Sequence, residues 1–346
     1  MLGCYVDDLF TLYSSDAPGS LYREFVDALE TRWDVEDEGE VSDLLNVEID
    51  RGPDGVLLRQ TAYIQKLVDT FCPDGVPASF SSHSTPAAPE LPQLVLEALS
   101  QSSPPCPAAV QRYQSICGAL LYAATHTRPD IAYAVGVLCR AMAKPTPALY
   151  DACLRVIHYL HHHRLVGLYY ERSQAPISGM ADSDWATRHS TSGYVFWHCS
   201  AAISWLSKKQ ATVALSSCEA EIVAASEATK EALYLSRFLA ELGFSTDDPV
   251  SLATDSRSAQ DVAYNPEHMS RMKHVERRHF FVREKKESLE ITVPFVRSAD
   301  NCADLFTKPL PAKQFFTLRD RIMNVCHASS LLSASASASK HEGDYV

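Results

Sequence analysis

Apolar and polar positions divide the chain into blocks of different texture. In residues 1–76, two short apolar and aromatic runs, 2–6 and 9–13, flank the acidic pair Asp7-Asp8. Such runs around a two-residue acidic turn predict a β-hairpin with both carboxylates at its tip. An amphipathic helix is expected at 20–32, strands at 44–50 and 55–58, and a helix at 63–71. Residues 77–110 are dense in Pro, Ser and Ala and poor in charge, the composition of a loop or linker. Helical spacing returns in 111–170, at 113–124, 131–141 and 148–161, with Pro129 and Pro145 as breakers.

Residues 171–325 have a different order. Strand patterns at 177–186, 192–198 and 202–206 precede a long helix at 217–242 and a strand at 250–254. Helices at 256–264 and 275–286, a strand at 289–296 and a short helix at 301–308 follow. This order describes a mixed sheet covered by helices, an α/β (α+β) architecture. The Ser/Ala-rich tail, 326–346, is expected to be disordered.

The length of 346 residues leaves room for two or three cores, and the apolar content of 46% is that of a globular protein. No run approaches the roughly 18 apolar residues of a membrane span, and no secretory signal precedes the first block. Membrane partners are therefore not expected, and an intracellular setting is. The ten cysteines show no paired spacing, which argues against a disulfide framework or a zinc site. The net charge of −12 is local: residues 1–50 hold 14 Asp and Glu against two Arg, and the remainder is neutral. A neutral remainder can still carry basic stripes beside an acidic pocket.

Four acids fall where packing alone would not place them. The long helix has an apolar stripe through Ala225, Ala228, Ala232, Leu235 and Leu239, and four residues before Ala225 stands Glu221. A carboxylate on the sheet-facing stripe is costly unless something such as a metal compensates it. Glu219 has the plainer role of closing a capping box with Ser216. Asp255 ends a strand, where it is either an N-cap, or the neighbour of one at Ser256, or a ligand. Asp304 lies one turn beyond Asp300, which is expected to cap the last helix. Asp182 and Asp184 share a strand face, and periodicity does not choose between them.

Several motifs then occur in order: Asp182-Ser183-Asp184-Trp185-Ala186, Ser190 to Tyr194, Ile203 to Gln210, Ala214 to Glu221, Lys273-His274-Val275 and Ala303 to Lys308. Together they resemble the RNase H domain of copia-type LTR retrotransposon polyproteins. Tyr113 to Leu121 and Thr127-Arg128-Pro129-Asp130-Ile131 resemble the thumb-like region of the same family, and Tyr5-Val6-Asp7-Asp8 its reverse transcriptase metal motif. The resemblance covers roughly 1–323. It implies a partial palm at 1–76, a helical thumb or connection at 111–170, and an RNase H-like domain at 171–325.

By position, the resemblance assigns Asp182, rather than Asp184, with Glu221, Asp255 and Asp304 as metal-binding catalytic acids of RNase H. It implies two Mg²⁺ ions, with Mn²⁺ as a substitute, and hydrolysis of RNA in an RNA–DNA hybrid. Asp7 and Asp8 would be part of an incomplete polymerase site, since the fingers and first palm carboxylate would precede Met1. Polymerase activity is therefore expected to be lost unless a separate chain supplies that half. Lys208, Lys209, Arg271, Lys273, Arg277 and Arg278 flank the acids and are read as phosphate contacts. A piece spanning 170–325 is expected to cut hybrid by itself. The rival reading is a retrotransposon remnant or hybrid-binding module without turnover. His158, His161, His162 and His163 end a helix without a carboxylate or Cys partner and are not read as a metal site. Trp185 and Trp205 are expected in the sheet core.

Overall fold

A computed structural model describes residues 2–6, 8–13, 17–33, 35–173, 175–185, 189–244, 248–264 and 276–328. Strands β1 (Leu2–Tyr5) and β2 (Asp8–Thr11) pair antiparallel as a two-stranded sheet of their own, with Tyr5 opposite Asp8. Helix α1 (Leu21–Arg32) is capped by Ser20, whose Oγ accepts from the Arg23 amide, and buries none of its residues. Strands β3 (Asp43–Leu44), β4 (Val47–Arg51) and β5 (Gly55–Arg59) follow as an antiparallel meander.

That meander is completed from far along the chain by β6 (Leu168–Glu171), which pairs with β5. Between them lie α2 (Thr61–Phe71), α3 (Leu91–Ser100), α4 (Pro107–His126), α5 (Ala132–Cys139) and α6 (Pro147–His162). The stretch 77–110 therefore departs from a linker: it contains α3 and the start of α4. Leu91, Val95 and Ala98, spaced at i, i+4 and i+7, bury one face of α3 in the helical core. Pro92 in the first turn, where its missing N–H costs nothing, disguises the helix as loop composition.

The second sheet has five strands in the order β11-β10-β7-β8-β9. β7 (Ser178–Asp184), β8 (Thr191–His198) and β9 (Ala201–Lys209) are antiparallel. β10 (Val250–Ala253) runs parallel to β7, and β11 (Ile291–Thr292) parallel to β10. The long helix α7 (Ser217–Glu241) lies on one face, where Ala225, Ala228 and Ala232 meet Ala181 and Phe196. Helices α8 (Arg257–Tyr264) and α9 (Glu276–Glu287) accompany it, and α10 (Ala312–Met323) closes the chain's second half. This is the helix-covered mixed sheet expected from the order of elements, and it fits the RNase H-like domain that the resemblance implies.

The opposite face of the sheet is not solvent. Val195, Ala201, Ala202, Leu305 and Phe306 belong to the same core as α2 to α6. The helical region 111–170 and the sheet region 171–325 thus share one core, in contrast to the separate domains expected from sequence. A buried polar lock reinforces the join. Arg128, with a fully buried side chain, grips Asp130 through Nε and Nη2 at 2.9 and 2.7 Å. The Tyr159 hydroxyl donates to Asp130 Oδ2 at 2.6 Å. Arg319 from α10 reaches the His163 ring at 3.2 Å. Residues 326–328, assigned to the tail from sequence, are helical, and Ala328 is buried with Leu57 and Tyr169. Residues 329–346 lie outside the described residues.

Candidate metal centre

Three segments end at one corner of the five-stranded sheet. β7 brings Asp182, the first turns of α7 bring Glu221, and the second residue beyond β10 is Asp255. Oxygens of all three carboxylates lie within 4.8 Å of one another. Among the described residues this is the one such group of His, Cys, Asp or Glu. Asp182 is almost fully buried, while Glu221 and Asp255 are half-buried.

Local folding explains why these acids are available. Ser216 caps α7 by accepting from the Glu219 amide at 3.1 Å, and Glu219 Oε2 accepts from the Leu215 amide at 2.7 Å. Glu219 is spent on the helix start and Glu221 is left facing the corner. Ser256 caps α8 by accepting from the Ala259 amide at 3.2 Å, which frees Asp255 from that task. Burial, then the charges of Asp182 and Asp255, push the Glu221 carboxyl far above the ordinary range, although hydrogen bonds from Ser183 pull it back. A site that disfavours its own third negative charge is one that a cation would relieve. Three hard carboxylate donors suit Mg²⁺ or Mn²⁺ over softer metals.

Asp304 stands beside this trio rather than within it. It lies on a 3-10 turn, Cys302–Phe306, and is almost fully buried. The cap of that turn is Asn301, not Asp300 as expected: Asn301 Oδ1 accepts from the Ala303 amide at 3.1 Å. The wholly buried Asn301 also donates from Nδ2 to Asp255 Oδ1 at 3.1 Å and to the Ala181 carbonyl at 3.2 Å. It thereby ties the turn to two strands of the sheet. Lys308 Nζ lies 2.7 Å from Asp304 Oδ1 and 3.9 Å from Asp182 Oδ2, and the Thr307 hydroxyl donates to Asp182 Oδ2. Burial and then the Asp182 charge raise the Asp304 carboxyl, against the pull of Lys308. Burial alone would lower Lys308, but Asp182, Asp304 and Asp255 hold its ammonium above the usual lysine value.

Asn301, Thr307 and Lys308 were not singled out from the sequence, although the Asp304–Lys308 spacing of four was a visible signal. Asp184 shares the strand face of Asp182 and lies outside the trio; burial, opposed by Lys308, raises its carboxyl. Asp7 is outside the described residues, and Asp8 is exposed on the β1–β2 hairpin. Lys208 pairs with Ser192 and Lys209 with Thr191, which in turn pair with Ser183 and Asp184, so both exposed lysines sit at the acidic end of the sheet. Arg271 and Lys273 lie outside the described residues, as does the side chain of Arg277 on α9, while Arg278 is half-buried.

The His158–His163 group makes no metal cluster among the described residues. Burial and the Arg319 guanidinium keep His163 well below the ordinary histidine range. Trp205 comes near the expectation of a core residue: it is partly buried against the shared core and donates from Nε1 to the Ala124 carbonyl at 2.8 Å. Trp185 does not: it is 52% exposed just beyond Asp184, with Nε1 on the Ala214 carbonyl at 3.1 Å.

No protein-family profile matches the chain. It is 32% identical over 326 residues to the retrovirus-related Pol polyprotein from transposon TNT 1-94 of Nicotiana tabacum, covering 90% of this chain and 23% of that protein. It is 30% identical over 237 residues to the "Putative transposon Ty5-1 protein" of Saccharomyces cerevisiae, covering 66% of this chain and 73% of that one. The foamy viral protease-reverse transcriptase solved in complex with RNA/DNA hybrid superposes with a TM-score of 0.44 and 14% identity, over 86% of this chain and 36% of that chain. The chain thus spans under a quarter of the length of the tobacco polyprotein. It belongs to the family of retrovirus-related Pol polyproteins from copia-type transposons.

Proposed function

We propose that this chain hydrolyses the RNA strand of RNA–DNA hybrids through an RNase H-type metal site. The observation that carries the reading is the convergence of Asp182, Glu221 and Asp255 within 4.8 Å at one corner of the sheet. Asp182 bridges the trio and the Asp304 side, Glu221 and Asp255 complete the trio, and Asp304 completes the acidic set. Mg²⁺ or Mn²⁺ bound there would supply an activated water and neutralise charge at the leaving oxygen. Lys208 and Lys209, at the same end of the sheet, would meet the phosphate backbone. Arg271, Lys273, Arg277 and Arg278 extend that basic set in the sequence.

The test is cleavage of a labelled RNA annealed to DNA, beside the same RNA annealed to RNA, with the full chain and Mg²⁺ or Mn²⁺. Cutting of the RNA in the hybrid, abolished by Asp182→Asn, is the expected result. Hybrid binding by a folded chain without any cutting would support the remnant reading instead.

A further inference from the structure

Helix α5 lies hard against the edge strand of the second sheet, and its last turn carries an arginine onto that sheet. A Cβ on Gly136 would lie 3.3 Å from the Ser207 carbonyl oxygen of β9, so a glycine is what lets the helix come this close. One turn further along the same helix face stands Arg140, the C-cap of α5. Its Nη2 donates to the Thr191 hydroxyl of β8 at 3.1 Å. Thr191 is paired with Asp184 on one side and Lys209 on the other. Directly opposed residues share a face, so this row of three lies under the end of α5.

Arg140 is not placed there for its own comfort. Its Nε is buried without a hydrogen-bond partner, and no carboxylate pairs with its guanidinium among the described residues. Burial works against its charge, and Tyr133 and Asp184 offset that only in part. A helix C-terminus favours a cation, but an exposed side chain would serve that purpose. Here the guanidinium is half-buried on Thr191, beside a second cation, the exposed Lys209. Two cations and the carboxyl of Asp184 leave one positive charge uncompensated.

We infer that Arg140 and Lys209 grip one phosphate of the nucleic-acid backbone, with Thr191 as the positioning residue that aims the guanidinium. This rests on the hybrid reading above and adds a contact from the helical half of the chain. A single phosphodiester charge balances the row, and a guanidinium fork suits phosphate oxygens. A strand reaching the acidic end of the sheet passes this row, because Asp184 stands two residues beyond Asp182 on β7.

The experiment is binding of a labelled RNA–DNA hybrid to the full chain in chelator, by fluorescence anisotropy over a series of salt concentrations. Chelator keeps metal out of the measurement. Arg140→Gln, which can keep the Thr191 bond without the charge, should bind about tenfold more weakly at low salt. Its plot of log affinity against log salt should be shallower by roughly one unit, for hybrids of two unrelated sequences alike. Arg140→Lys should keep most of the slope, since it keeps the charge. A folded Arg140→Gln chain with wild-type affinity and slope would overturn the inference. The wild-type chain gives a second test that needs no variant: hybrid should slow hydrogen exchange across 140–144, and unchanged exchange there would also overturn it. Failure of the hydrolysis reading looks different: hybrid that binds with this dependence on Arg140 and stays uncut once Mg²⁺ or Mn²⁺ is restored.

Discussion

Gly193 stands opposite Asp182 across the β7–β8 ladder, and the space left by its missing side chain is filled by the 3-10 turn that carries Asp304. A Cβ on Gly193 would lie 2.7 Å from Thr307 Cγ2, 2.8 Å from Phe306 Cβ and 3.0 Å from the Ala303 carbonyl oxygen. Two of these belong to the turn's own residues and one to the partner of Asp182. The turn can approach the sheet only because this position is glycine.

Gly193→Ala should therefore cost about 1–3 kcal/mol, the usual scale for overpacking a filled interior. The turn must shift, so hybrid cleavage measured well below the melting temperature should fall as well. Chemical denaturation and cleavage assays check the two effects. A variant of unchanged stability and activity would show that the turn tolerates a methyl group there.

The shared core makes a prediction against the expectation from sequence. A piece spanning 170–325 would expose Val195, Ala201, Ala202, Leu305 and Phe306 to water and strand Arg319 without Tyr159 and His163. An apolar surface of that extent drives association. Sedimentation and thermal melting should show an aggregated or non-cooperative species, whereas the full chain melts cooperatively. A monomeric 170–325 piece with a sharp transition would contradict this.

Arg128 and Asp130 form a bidentate pair with fully buried side chains, at the join between the helical block and the sheet. Arg128→Met leaves Asp130 charged, buried and short of its main partner. The expected loss is about 3–5 kcal/mol, as for breaking one side of a buried pair. Urea unfolding measures it. A loss below about 1 kcal/mol would mean that Tyr159 alone satisfies the carboxylate.

Much of the site was legible in the sequence, and for identifiable reasons. The stripe of α7 placed Glu221 on the sheet side because helical periodicity survives the polar surroundings. Ser216 and Glu219 announced a capping box that the structure contains. The choice of Asp182 over Asp184 came from resemblance, not periodicity. Asn301 escaped notice because its three hydrogen bonds reach Ala303, Asp255 and Ala181, the last 120 residues away. β6 was equally hidden: four residues become a strand only by pairing with β5, more than a hundred positions earlier. Long-range pairing of this kind leaves no local pattern.

The metal-free protein should weaken as pH rises. The Glu221 carboxyl is pushed from 4.5 up to about 9, chiefly by burial and then by Asp182 and Asp255. Between these values the folded state holds a proton that the unfolded state has released, so stability is greatest at the acidic end and is lost toward the upper value. Urea unfolding in chelator at several pH values should show this slope in wild type and a flatter one in Glu221→Gln. Equal slopes would place the titration elsewhere.

The most direct test of the metal-centre account compares two glutamates two residues apart on α7. Hybrid cleavage with Mg²⁺ or Mn²⁺ is measured for Glu221→Gln and Glu219→Gln, beside each variant's melting temperature in chelator. Glu221→Gln should abolish cleavage while its melting temperature holds or rises, because glutamine is neutral without the proton that Glu221 must take up on folding. Glu219→Gln should keep both, since glutamine also serves a capping box. An active Glu221→Gln alongside an inactive, folded Glu219→Gln would contradict the assignment of the metal centre to Asp182, Glu221 and Asp255.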